Sequence, residues 1–185
     1  MPCRCSSYSA PDLLEPLSVT GFWNDIGDHN KPFGLGEAPW WFIHDAAKFS
    51  GQPGFPGRAF VANNGQAAVF AYHNAPAQKV FMDARLEVCS RNTFELFNTI
   101  LAKMATGDTS WQAIFEPKDD DDLPVVILDS RGSRLEINGL LQTPGWRLVF
   151  ADHTAAVFLT DKRAAKLSLP PADPRPVFYP DGSPP

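Results

Sequence analysis

The segment Leu123-Pro124-Val125-Val126-Ile127-Leu128-Asp129 constrains the fold more than any other part of the chain. It is β-branched and continuously apolar, so it has strand chemistry. A strand wet on one side alternates apolar and polar residues. Here both alternate sets are apolar, so both faces must be covered. Helices on either side of a sheet provide that cover, and the rest of the sequence supplies helices.

The clearest helix opens at Asn92-Thr93-Phe94-Glu95. Asn92 stands where a cap is needed, and Glu95 where a capping box places its acid. Phe94, Phe97, Ile100, Leu101 and Met104 then form one apolar stripe, and Gly107 closes the helix. A second helix is expected from Pro39, where the first turn needs no N–H donor. It carries Trp40, Trp41, Phe42, Ile43, Ala46, Ala47 and Phe49 until the Gly- and Pro-rich stretch 51–57 stops it. Shorter helical pieces are read at 66–73, 110–115, 133–141 and 161–167. Strand character appears at 17–23, 58–62 and 79–83. The last of these belongs to Lys79-Val80-Phe81-Met82-Asp83-Ala84-Arg85-Leu86-Glu87-Val88, read as a buried central strand. Trp146 to Phe150 and Ala155 to Thr160, joined by four residues, make a β-hairpin.

These elements predict an α/β fold, Rossmann-like in its layering. It has a mixed, mainly parallel sheet with flanking helices and a C-terminal antiparallel β-hairpin. Residues 1–14 are aperiodic and read as a flexible end, 15–167 as one domain, and 168–185 as a Pro-rich tail that does not pack as an element. A hydrophobic content of 44%, with 14 Phe and 5 Trp, is enough for a real core. The net charge of -5 argues against nucleic acid or anionic lipid as a partner, since both require a basic face. No apolar stretch approaches the roughly 20 residues that cross a bilayer, and no apolar segment of a signal peptide follows Met1.

In an open α/β sheet, ligands bind beyond the C-terminal ends of the strands. The candidate ligand-binding residues are therefore Asn63 and Asn64 after one strand, Asp83 and Arg85 after a second, and Asp129, with Ser130, after a third. They converge on one rim if the strands are parallel neighbours. A carboxylate beside a guanidinium can orient a polar ligand. The competing reading is that Asp83 and Arg85 pair with each other and only shape a loop.

Other motifs carry less. Gly34-Leu35-Gly36 lacks the third glycine of a dinucleotide-binding turn, because position 39 is Pro39. His29, His44, His73 and His153 are widely spaced, with no two at metal-ligand spacing on one helix. His44 beside Asp45 has no nucleophile in an elbow motif to serve. Asp119 to Asp122 are consecutive, unlike the alternating ligands of a calcium loop, and read as a solvated turn. Cys3 and Cys5 supply only half of a structural zinc set, and Cys89 reads as a small buried hydrophobe. No cofactor and no metal are expected.

Several segments together resemble a known family: Phe33 to Trp41, Gly57 to Gly65, Lys79 to Val88, and the hairpin segments Gly145 to Asp152 and Ala155 to Leu159. They are similar to the soluble C-terminal domain of large polytopic membrane proteins of the planctomycete kind, which are themselves similar to glycosyltransferases using lipid-linked sugars. The resemblance spans about residues 17–165. It implies a non-catalytic accessory module on the extracytoplasmic side of a bacterial membrane, partnered by a membrane protein or a glycan. The transferase chemistry would lie in the membrane part. Asn63, Asp83 and Arg85 match the family's motif without an assigned role. The alternative is a small α/β enzyme on a sugar or nucleotide-like substrate, with Asp83 as base and Arg85 as anion anchor.

Overall fold

The computed structural model describes residues 42–82, 89–119 and 122–178. The strand expected at 17–23, the Gly34-Leu35-Gly36 turn, Trp40, Trp41, Cys3, Cys5, His29, Asp83 and Arg85 lie outside the described residues. In chain order the elements are α1 (His44–Ser50), β1 (Arg58–Val61), α2 (Asn64–Asn74), β2 (Lys79–Val80), α3 (Arg91–Ala105), a 3-10 helix (Thr109–Phe115), β3 (Val125–Asp129), α4 (Arg134–Gln142), β4 (Trp146–Ala151), β5 (Ala155–Thr160), α5 (Asp161–Lys166) and the single turn α6 (Arg175–Phe178).

The strands form one open sheet in the order β2-β1-β3-β5-β4. β1 runs parallel to β2 and to β3, whereas β5 pairs antiparallel with both β3 and β4. The fold is α/β, and the C-terminal hairpin is formed as expected. Among the described residues the sheet is mixed, with two parallel pairs (β1 with β2 and with β3) and two antiparallel ones (β5 with β3 and with β4), and the hairpin supplies its antiparallel edge. Among the described residues β2 ends the strand order rather than lying at its centre, with Lys79 exposed and Val80 half-buried.

The apolar run of β3 is buried throughout, and its alternate residues enter two separate cores. Val126 and Leu128 join Phe60, Phe97, Ile100, Met104, Trp111, Ile137, Leu140 and Phe158 on one face, under α3, α4 and the 3-10 helix. Val125 and Ile127 join Ala46, Ala47, Ala59, Val61, Ala67, Phe70, Val157 and Ala164 on the other, under α1, α2 and α5. The period-two alternation of side chains thus sorts a continuous hydrophobic run into two layers.

Element ends were less legible. α3 begins one residue before Asn92, and its cap is Ser90, whose side chain accepts from the Thr93 N–H at 3.0 Å. Glu95 does not close a capping box there; its carboxylate meets Arg91 at 2.7 Å along the helix. Phe94 is exposed, so the buried stripe is carried by Phe97, Ile100 and Met104. The described helix of this region, α1, starts at His44, with Ile43 at the cap position and fully buried, and the expected start at Pro39 lies outside the described residues.

The tail departs most from expectation. The Ala172 N–H donates to the Leu148 carbonyl, α6 forms a turn, and Phe178 is 2% exposed within the first core. Proline density stops the segment from making a long helix but not from packing, because proline costs nothing where no N–H is needed. Among the described residues no helix is long and apolar enough to cross a membrane.

Candidate ligand crevice at the strand ends

β1 and β3 are parallel neighbours whose onward connections diverge. After β1 the chain passes through α2 to β2, on one side of β1; after β3 it passes through α4 to the hairpin on the other side. The point between them is a topological switch point, where divergent connections leave a crevice beyond the carboxyl ends of the strands. Asn63 follows β1 and Asp129 ends β3, so two candidate residues from sequence meet at this place.

They also touch. Asn63 Nδ2 donates to Asp129 Oδ2 at 3.1 Å. The other end of the same carboxamide caps α2: Asn63 Oδ1 accepts from the Gly65 and Gln66 N–H groups at 2.9 and 3.3 Å. Asp129 Oδ1 in turn accepts from the Arg131 and Gly132 N–H groups at 2.9 and 3.4 Å, folding the turn that leads into α4. Arg131 Nε stands 3.7 Å from the same oxygen. Ser130 Oγ donates to the Asp152 carbonyl, tying this turn to the hairpin. Asp129 is therefore a framework carboxylate that joins both sides of the crevice.

This arrangement predicts a specific conflict in Asp129→Asn. With Oδ1 kept toward the Arg131 and Gly132 N–H groups, the new amide nitrogen would face Asn63 Nδ2, donor against donor. Asn63 cannot turn without uncapping α2. A cost of about 1–2 kcal/mol is expected, the range for a buried group deprived of its partner. Urea denaturation at neutral pH checks it, and a change under about 0.3 kcal/mol would remove the framework role.

In the first turn of the helix that Asn63 caps are buried polar atoms with no hydrogen-bond partner. Asn64, the first residue of α2, has a buried Oδ1 without a hydrogen bond, and Gln66 is 3% exposed with neither Oε1 nor Nε2 bonded. Asn64 was a candidate from sequence. Gln66 was not, because a glutamine in the first turn of a helix usually faces water; only its burial marks it.

Asp83 and Arg85 lie outside the described residues, and the other chemical motifs are engaged in contacts of their own. His44 Nδ1 and His73 Nε2 approach to 2.8 Å from two different helices. The ring centroids are 5.1 Å apart, so both nitrogens lie nearly on the line joining them, the geometry of one ring donating to the other. Separation of 29 residues hid this pair from a reading of helical spacing. Among the described residues no three His, Cys, Asp or Glu side chains gather in metal-binding geometry. Of the acidic run, Asp122 is structural: its carboxylate accepts from the Lys118 N–H and its carbonyl from Arg58 Nη2. Cys89 packs partly buried against the first core.

Two carboxyl groups elsewhere are displaced for local reasons. The Ser110 N–H, then Lys103 and the Ser110 hydroxyl, hold Asp108 well below the usual range, at about 2. Arg175 lowers Asp173 in the same way. Both are exposed turn residues, and their shifts report caps and ion pairs.

No protein-family model, curated protein or solved structure matches this chain.

Proposed function

We propose that this chain is a non-catalytic α/β binding module, an accessory domain related to membrane glycosyltransferase-like proteins, whose ligand enters the crevice between β1 and β3. The supporting observation is the coincidence of the switch point with the Asn63–Asp129 pair and the unpartnered amide atoms of Asn64 and Gln66. A binding role suits Asp129 better than acid–base chemistry, because both of its oxygens are engaged by fixed donors. The link to glycosyltransferase-like proteins rests on the motif segments around Asn63, Asp83 and the hairpin, and it makes a glycan or a membrane partner the first ligand to try. Asp83 and Arg85 lie outside the described residues and are kept as proposed ligand-binding residues on their place in the sequence alone, shortly after β2.

The test is a ligand screen on the full chain by two-dimensional NMR. Compounds that bind are expected to shift the amides of Asn63 to Gln66 and of Asp129 to Gly132 together. Asp83→Ala and Arg85→Ala are each expected to weaken them. If every compound that binds leaves those amides unmoved, or if both substitutions leave affinity untouched, the crevice is not the site.

A further inference from the structure

We propose that the buried Gln66 carboxamide reads the ligand of this crevice, and that the ligand is a neutral molecule presenting a hydrogen-bond donor and an acceptor side by side. Adjacent hydroxyls of a sugar ring and the edge of a free nucleobase both offer this chemistry. The inference rests on the crevice reading above and names the class of molecule it takes.

Buried polar atoms are almost always hydrogen-bonded, and leaving one without a partner is costly. Six side-chain atoms among the described residues are buried and unpartnered. Three of them, Asn64 Oδ1, Gln66 Oε1 and Gln66 Nε2, fall within the first turn of α2. Such a concentration is not explained by packing. Gln66 occupies the third helical position, where a glutamine ordinarily bends back to the backbone N–H of the cap residue. It makes no such bond. Side chains tilt toward the N-terminus of their helix, so a first-turn residue of α2 carries its amide toward the strand ends, where Asn63 and Asp129 meet.

A helix N-terminus at a switch point is ordinarily a phosphate site. Here the chemistry is closed to an anion. The N–H groups of Gly65 and Gln66, which a phosphate would use, already donate to Asn63 Oδ1. The Asp129 carboxylate lies directly behind that cap, and the Arg131 guanidinium nearest it is drawn to Asp129 Oδ1. What is left without a partner, buried from water, is one amide with a donor and an acceptor in a plane, and a second acceptor from Asn64. A carboxamide of this kind meets a paired donor and acceptor in two parallel hydrogen bonds.

The test is calorimetric titration of the full chain with neutral monosaccharides and nucleosides, each beside its phosphorylated counterpart, repeated on Gln66→Met. Methionine keeps the length of the side chain and removes the amide; Gln66→Leu serves as a second apolar variant. A neutral compound is expected to bind, and its phosphate to bind more weakly. Either variant is expected to weaken binding roughly ten-fold or more, the loss of a pair of hydrogen bonds. Its melting temperature is expected to rise, since two unpartnered buried atoms are gone. Sugar binding or nucleoside binding identifies the source. Tighter binding of the phosphates overturns the inference, and so does a fall in melting temperature in both variants, which would reveal a structural partner for the amide. Equal affinity in wild type and Gln66→Met, with the crevice amides still shifted, overturns the role of Gln66 and leaves the crevice reading standing. Failure of every compound to bind overturns both.

Discussion

Gly139→Ala should destabilise the protein by about 3 kcal/mol, the upper end of what overpacking costs. Gly139 lies in α4 where it crosses the C-terminal end of α3, and it is buried. A Cβ at this position would overlap the Met104 carbonyl oxygen and stand 3.0 Å from the carbonyl carbon and 3.4 Å from that of Ala105. All three atoms are backbone, so no rotamer change relieves the clash and one helix must move. α4 cannot retreat freely, because Ile137 and Leu140 on either side of Gly139 are fully buried under the sheet. Its first turn also follows directly on the Asp129 loop: the Ser133 N–H donates to the Asp129 carbonyl. A displaced α4 therefore disturbs the crevice, and ligand affinity should fall along with stability. Gly107→Ala is the control. Gly107 has a φ of +72° but open space around it, so only the backbone penalty of about 1 kcal/mol applies. If the two variants unfold at the same urea concentration, the close approach of α3 and α4 is not what Gly139 serves.

That contact shows where sequence reasoning stops. A glycine inside a helical pattern lowers the expectation of a helix. Nothing in the residues around it says that a second helix passes within reach. Properties repeated along one element were legible: the two-sided burial of β3, the stripe through Phe97, Ile100 and Met104, the hairpin Trp146 to Thr160. Properties created between elements were not. The place of β2 at the end of the described strand order, the insertion of β5 between β3 and β4, and the His44–His73 hydrogen bond all depend on residues far apart in the chain. The cap of α3 was misplaced by two residues, since Ser90, Asn92 and Thr93 are all competent cap residues.

The candidate site divides along the same line. A strand that ends in Asn or Asp is visible in sequence, and the switch-point rule then says where such ends matter. Asn63 and Asp129 were found in that way, and the structure joins them by a direct hydrogen bond. That their polar groups are largely engaged with each other and with the backbone was not visible, because it depends on turn geometry at both strand ends. Gln66 carried no signal at all. A buried amide without a partner looks, in sequence, like any solvated glutamine.

Phe178→Ala is expected to cost about 3–5 kcal/mol, the usual range for removing a buried aromatic ring from a core. The ring is 2% exposed and packs in the same cluster as Trp146, Leu148 and Ile137. Its segment is also held by backbone. The Phe178 carbonyl accepts from Arg134 Nη1 at 2.6 Å, its N–H donates to the Pro174 carbonyl at 2.9 Å, and the Ala172 N–H donates to the Leu148 carbonyl at 2.8 Å. Asp173 Oδ1 accepts from the Arg175 N–H and so starts the turn that delivers the ring. A chain cut after Ser168 loses all of these together and should be at least as unstable as the point variant. The cut also removes the Phe178 carbonyl from Arg134, the first residue of α4, the helix that follows the Asp129 loop. Tyr72→Ala provides the contrast: at 83% exposure it should change stability by less than about 0.5 kcal/mol. Equal midpoints for Phe178→Ala and Tyr72→Ala in guanidinium would mean that residues 169–178 are the unpacked tail their proline content suggests. A large separation makes them the last layer of the core.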